Sequence, residues 1–113
     1  MNLRLKDMRG NLNNMERYKK KFQENGASWE DLIKLVEEKF SKGALCSVYL
    51  HQDKSNALCA LTDIQDFDTK NNLISFIARQ NFISISKHDF KLFNAKKNII
   101  EILGHVALYK INF

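Results

Sequence analysis

Proline is absent from these 113 residues, glycine occurs four times and cysteine twice. With no proline, punctuation falls to Gly10, Asn25-Gly26, Gly43, Asn81 and Gly104. Two cysteines, Cys46 and Cys59, make no disulfide framework, and no CxxC occurs. They fall in two apolar segments that pair as strands. Each reads as a small buried hydrophobe, and the two could face one another across the hairpin. With His51, His88 and His105 they show no metal-ligand spacing. No apolar run approaches the roughly 20 residues of a membrane span, and no secretory apolar stretch follows Met1. The phosphate loop GxxxxGK[ST], the dinucleotide loop GxGxxG and the nucleophile elbow GxSxG are missing. No metal, cofactor or small-molecule substrate is expected, and the chain reads as noncatalytic.

What is present is positive charge, unevenly placed. The net charge is +5. Residues 1–27 carry Arg4, Lys6, Arg9, Arg17, Lys19, Lys20 and Lys21 against Asp7, Glu16 and Glu24, a balance of +4; residues 28–113 hold the remaining +1. A basic arm on a near-neutral body points to nucleic acid or another anionic surface. Those seven cations are the candidate nucleic-acid-binding residues. The plain alternative is a solubilising helix face. The arm contains acids and little Ser, so it matches an organellar transit peptide only weakly.

The length fits one domain with an arm: a basic N-terminal arm and helix over 1–27, then a small α+β domain over 28–113. Leu12, Met15, Tyr18 and Phe22 recur at helical steps, which predicts a helix from Asn11 to Asn25 with a narrow apolar stripe. Ser28, with Asp31 three residues on, starts a second helix in the style of a capping box. Trp29, Leu32, Ile33, Val36 and Phe40 form its apolar face, with Trp29 as a core anchor. Glu30 and Asp31 suit its start, Lys39 and Lys42 its end, and Gly43 its C′ position. Ala44–His51 reads as a strand, Gln52–Asn56 as a polar turn and Ala57–Leu61 as the returning strand.

A third helix is expected next, capped by Thr62 with Gln65 or started at Asp68-Thr69. Leu73, Ile74, Ile77 and Phe76 would supply its buried side, Gln80 its end and Asn81 its left-handed stop. From Phe82 to Phe113 a period of two returns at Phe82, Ile83 and Ile85, at Phe90 and Leu92, at Ile100 and Ile102, and at Val106 and Leu108. These read as strands of a small antiparallel sheet roofed by two helices. The expected order is helix, helix, strand, strand, helix, strands: an α+β fold.

Little here suggests chemistry. His51, His88 and His105 could serve a small RNase as acid and base, with a Lys on phosphate. Each sits at a strand end or turn, and the plain reading is surface histidine. Asp63, Asp66 and Asp68 in DIQDFD lack the further ligands of a calcium loop and read as helix caps. Lys87-His88, Lys96-Lys97 and Lys110 are scattered cations that could touch phosphate, or simply lie in solvated turns.

From Leu32 to about Lys110 the order of motifs resembles the C-terminal domain of bacterial large-subunit ribosomal protein nine. Trp29–Phe40 matches the end of that family's connecting helix, and Ala44–His51 with Ala57–Thr62 its hairpin. Asp63-Ile64 or Asp66-Phe67 would open its internal helix. ISKHDFKL (Ile85 to Leu92) resembles its basic turn, IEILG (Ile100 to Gly104) its closing strand, and VALYKI the strand after it. Cys59 and Ala60 stand where the family has Gly and a small polar residue. The family's N-terminal RNA-gripping domain has no counterpart here.

The resemblance implies a structural component of the large ribosomal subunit, with ribosomal RNA and ribosomal proteins as partners. A shortened copy suits an organellar ribosome, in a mitochondrial or similar matrix, or a bacterial cytoplasm, with Arg4 to Lys21 as anchor. A free-standing protein-interaction or regulatory module, phage or bacterial, is the alternative, and a small RNase the third reading.

Overall fold

A computed structural model describes residues 28–113. They form one helix, α1 (Trp29–Lys39), and eight strands: β1 (Ala44–Leu50), β2 (Cys59–Ile64), β3 (Asp66–Asp68), β4 (Leu73–Ala78), β5 (Asn81–Ser86), β6 (Phe90–Ala95), β7 (Ile99–Gly104) and β8 (Ala107–Asn112). α1 starts where expected. Ser28 is extended, and its hydroxyl accepts the N–H of Asp31 at 3.3 Å. That satisfies one of the donors a helix start leaves orphaned. Trp29, Leu32 and Val36 are buried, and the Trp29 ring meets Phe90 edge-on at 5.5 Å. The helix stops at Phe40, whose ψ of 133 swings the chain away. Gly43 is not its C′ residue. At φ 92 it turns the chain into β1, and its N–H donates to Ile64 O at 2.8 Å, opening the next ladder.

The larger sheet runs β2-β1-β8-β7-β6 and the smaller β3-β4-β5, with antiparallel pairing throughout. β1 and β8, from opposite ends of the described chain, pair from Leu45↔Asn112 to Leu50↔Ala107. A single residue, Gln65, separates β2 from β3, and its N–H donates to Ile77 O at 2.9 Å. One long bent strand therefore passes from the larger sheet into the smaller. The bend is a bulge: Ala44 faces Ile64 and Cys46 faces Leu61, so Thr62 and Asp63 together oppose Leu45. Asp63 takes a φ of 54 there. A shared hydrophobic core joins Leu32 and Val36 of α1, Cys46, Ile100, Ile102 and Ile111 of the larger sheet, and Ile74, Phe76 and Ile85 of the smaller.

The expected α+β order is corrected here. The described residues are mostly strand with a single helix, and the internal helix over 62–80 is absent. Leu73, Ile74 and Ile77 fit a helical spacing, but Ile74, Phe76 and Ala78 are buried while Leu73, Ser75 and Ile77 between them are only half-buried. That is a period of two. Asn71 and Asn72 both take positive φ, 59 and 58, and Leu73 N–H donates to Lys70 O at 3.1 Å. Two successive left-handed residues make a type I′ hairpin turn, and no right-handed helix passes through them. The three aspartates cap no helix. Asp66 Oδ1 accepts the N–H of Phe67, Asp68 Oδ1 that of Lys70, and Asp63 Oδ1 the amide of Gln65. Asn81 opens β5, and the left-handed residue of the preceding turn is Arg79, at φ 50.

The two-helix roof is likewise corrected. Among the described residues α1 alone supplies helix, and the smaller sheet completes the cover of the core. The helix expected from Asn11 to Asn25 lies outside the described residues. The four strands expected after Phe82 form β5 to β8, but not in one sheet: β5 belongs to the smaller sheet and β6 to β8 to the larger.

Candidate functional site

Arg4, Lys6, Arg9, Arg17, Lys19, Lys20 and Lys21 lie outside the described residues, so the geometry of the expected nucleic-acid interface rests on what the folded body offers. Several of its lysines are engaged within the fold. Lys39 Nζ donates to the carbonyls of Lys96 and Lys97 at 3.1 and 2.8 Å, clamping the end of α1 to the β6–β7 turn. Lys96 Nζ lies 3.8 Å from Glu101, and Lys87 Nζ lies 3.7 Å from Glu30. Lys110 stands opposite Glu101 in the β7–β8 ladder. The Lys87–Glu30 pair is exposed on both sides and contributes little to stability, about 0–1 kcal/mol.

His88 and His105 come to one corner of the fold, on either side of Asp89. The main-chain N–H of His105 donates to Asp89 O and Oδ1, at 2.8 and 3.0 Å, and Val106 N–H donates to Oδ1 at 3.2 Å. The Tyr109 hydroxyl donates to Oδ2 at 3.3 Å. The carboxylate is thus held by donors on both oxygens, which fastens the β5–β6 turn to the β7–β8 turn. Gly104 makes this possible. A Cβ at that position would collide with the Asp89 carboxylate and stand 3.0 Å from Ala107 O. Burial, and then the Asp89 charge, push Tyr109 up to about 12.

His51 stands apart at the end of β1, its Nε2 buried without a partner. Among the described residues no group of three or more His, Cys, Asp or Glu is arranged to hold a metal. No helix among them is long and apolar enough to cross a membrane.

The cysteines do not face one another. Cys46 stands opposite Leu61 and Cys59 opposite Val48. Cys46 is buried, and desolvation pushes its thiol up to about 12; Cys59 is exposed, and both are free.

A groove lies on the smaller sheet. Asp66, Ile77 and Phe82 form one cross-strand row, Asp68, Ser75 and Ser84 the next. The Ser75 and Ser84 hydroxyls are 2.7 Å apart. Phe82 is 68% exposed. It borders a groove of about 300 Å³ lined by Asp68, Ser75, Ile77, Arg79, Gln80, Asn81 and Phe82. Sequence reasoning treated Phe82 as one of several strand apolars. The available signal was the pair Phe82-Ile83: neighbours in a strand point to opposite faces, and Ile83 shares its face with buried Ile85.

No family model matches the chain, and comparisons with curated proteins and with solved structures find no match.

Proposed function

We propose that this chain is a noncatalytic binding protein held on structured RNA by its first 27 residues, as a structural component of the large ribosomal subunit in an organelle or a bacterium. The observation that carries this reading is the charge distribution: +4 on residues 1–27 against +1 on residues 28–113. The likeness to ribosomal protein nine contributes less, because the internal helix it requires at Asp63-Ile64 is a bent strand. Electrostatic anchoring releases counterions, so affinity for a structured RNA falls with salt, with a slope of about 0.7–0.9 per phosphate contacted. Replacing Lys19, Lys20 and Lys21 by Gln lowers that slope by about 2–3. Salt-insensitive binding, or none, counts against the arm as an RNA anchor.

A second reading, a free-standing interaction module, is favoured by Leu50, Leu58 and Val106. These apolar side chains are exposed at one end of the larger sheet. Fractionation of a lysate separates the two readings. Sedimentation with the large subunit supports the first, and a soluble low-mass pool the second.

A further inference from the structure

We propose that the open edge of β5, alongside Phe82, takes up an extended peptide of apolar centre and acidic ends as a fourth strand of the smaller sheet. This goes beyond RNA anchoring and does not rest on it. The turn between β4 and β5 has two residues, Arg79 and Gln80, so its flanking pair Ala78↔Asn81 is hydrogen-bonded. Parity then turns the backbone groups of Asn81, Ile83 and Ile85 toward β4. The bond from Lys87 N–H to Asn72 O at the far end, 2.9 Å, keeps the same parity. The backbone groups of Phe82, Ser84 and Ser86 therefore point away from β4. Ser86 O is taken by Asp89 N–H at 3.0 Å. Phe82 and Ser84 have no backbone partner on that side among the described residues.

An unpaired edge is normally guarded by a charge, a proline or a bulge. β5, NFISIS, has none of the three. Four backbone groups in a row are free to pair with an incoming strand, the mode in which main-chain bonds supply affinity and side-chain pockets supply specificity. Phe82, on the edge strand itself, offers the apolar contact. Arg79, at the rim, holds a φ of 50 that a non-glycine residue rarely adopts.

Charge complementarity selects the peptide. β5 itself is uncharged, with Arg79 before it and Lys87 and His88 after it. Lys87 is 47% exposed and shares Glu30 at 3.7 Å. Arg79 and Lys87 bracket an extended span of about 26 Å. A peptide lying antiparallel along it meets a cation near each end, so acidic termini fit and basic termini are repelled.

The test uses fluorescence anisotropy with the full chain and labelled Asp-Thr-Val-Thr-Val-Thr-Glu, beside a Lys-ended version and a version N-methylated at alternate residues. We expect saturable binding with a Kd of about 10–100 μM. We expect it to be weakened at least about tenfold by Phe82→Ser, by N-methylation and by the Lys ends. Arg79→Gly relieves the strained φ, so its folded state is no less stable; it weakens binding several-fold all the same, which a purely structural Arg79 would not do. Binding absent at about 1 mM, or equal for the N-methylated peptide, overturns the proposal. So does a dimer of the free protein in sedimentation that Phe82→Lys dissolves, since the edge then belongs to a second copy.

Discussion

The two sheets follow opposite rules of construction. The larger is non-local. Its central pair, β1 with β8, joins residues some sixty positions apart, and it forms only once most of the described chain is in place. The smaller sheet is a local meander joined by two short turns, both through left-handed residues. The larger sheet carries the Asp89–Gly104–Tyr109 corner and the clamp of Lys39 on the β6–β7 turn, so its turns are fastened by long-range bonds. The smaller ends in the uncharged strand β5 and carries an exposed aromatic, while the larger has its exposed apolar side chains, Leu50, Leu58 and Val106, at one end. The difference separates turns fastened by long-range bonds from an edge strand held by local pairing, and stability and recognition at β5 should respond to different substitutions.

The largest effect tests whether the two sheets are one cooperative unit. Phe76 is fully buried in β4 and packs in the core shared with α1 and the larger sheet. Phe76→Ala removes a whole ring and should cost about 3–5 kcal/mol of global stability by chemical denaturation. Amide exchange at Ile100 and Ile111 in the larger sheet should accelerate in parallel. If those amides keep their protection while the smaller sheet exchanges freely, the smaller sheet is only an appendage and the shared core is wrong.

Gly104→Ala comes next, at about 2–3 kcal/mol, because the new methyl group meets both the Asp89 carboxylate and the main-chain oxygen of Ala107. The part due to Asp89 is separable. In an Asp89→Ser background the same substitution should cost less, since the colliding carboxylate is gone, while the Ala107 contact remains. Equal costs in both backgrounds would mean that the corner does not fasten the larger sheet.

A smaller, titratable effect also belongs to the larger sheet. Cys46 and Tyr109 are raised in the fold from 9.0 and 10.0 to about 12 each, chiefly by burial. For both acids the neutral form is favoured when folded. Their contribution is therefore complete below about pH 9 and is lost as pH rises from 9 toward 12, where the unfolded chain ionises first. Denaturation midpoints should fall across that window. Cys46→Ala should flatten the fall between pH 9 and 10, before the tyrosine joins. A thiol reagent at pH 8 should label Cys59 in the native protein and Cys46 only after unfolding.

These contrasts also explain what could be read from residues alone. α1 was legible because its signals agree: a Ser cap, acids at its start and an apolar face from Trp29 to Phe40. The strands of the larger sheet after Phe90 were legible because their alternation has no helical rival, and Ala44–Leu50 because it is a short apolar run bounded by Gly43 and a polar turn. The smaller sheet was misread over Leu73–Ala78, where five of six residues are apolar, so period alone does not distinguish a strand with its outer face half covered from a buried helix. The pairing of β1 with β8 has no local signature at all. The corner at Asp89 was hidden for the same reason: its parts lie fifteen and twenty residues apart, at Gly104 and Tyr109.

The turn at Asn71-Asn72 is where the misreading could have been caught, and it yields the gentlest test. Asn is the residue, after Gly, that best tolerates the left-handed region, and two in a row between apolar segments mark a type I′ turn. The second central position favours Gly most strongly. Asn72→Gly should therefore stabilise the protein by about 0.5–1 kcal/mol and leave peptide binding at the β5 edge unchanged. Asn72→Val should do the reverse, since a β-branched side chain resists a φ of 58. The pair discriminates because a helix through this segment ranks the two substitutions the other way: glycine is the poorer helix former, by a few tenths of a kcal/mol. A glycine variant less stable than the valine variant would restore the helix and remove the smaller sheet, with the edge that depends on it.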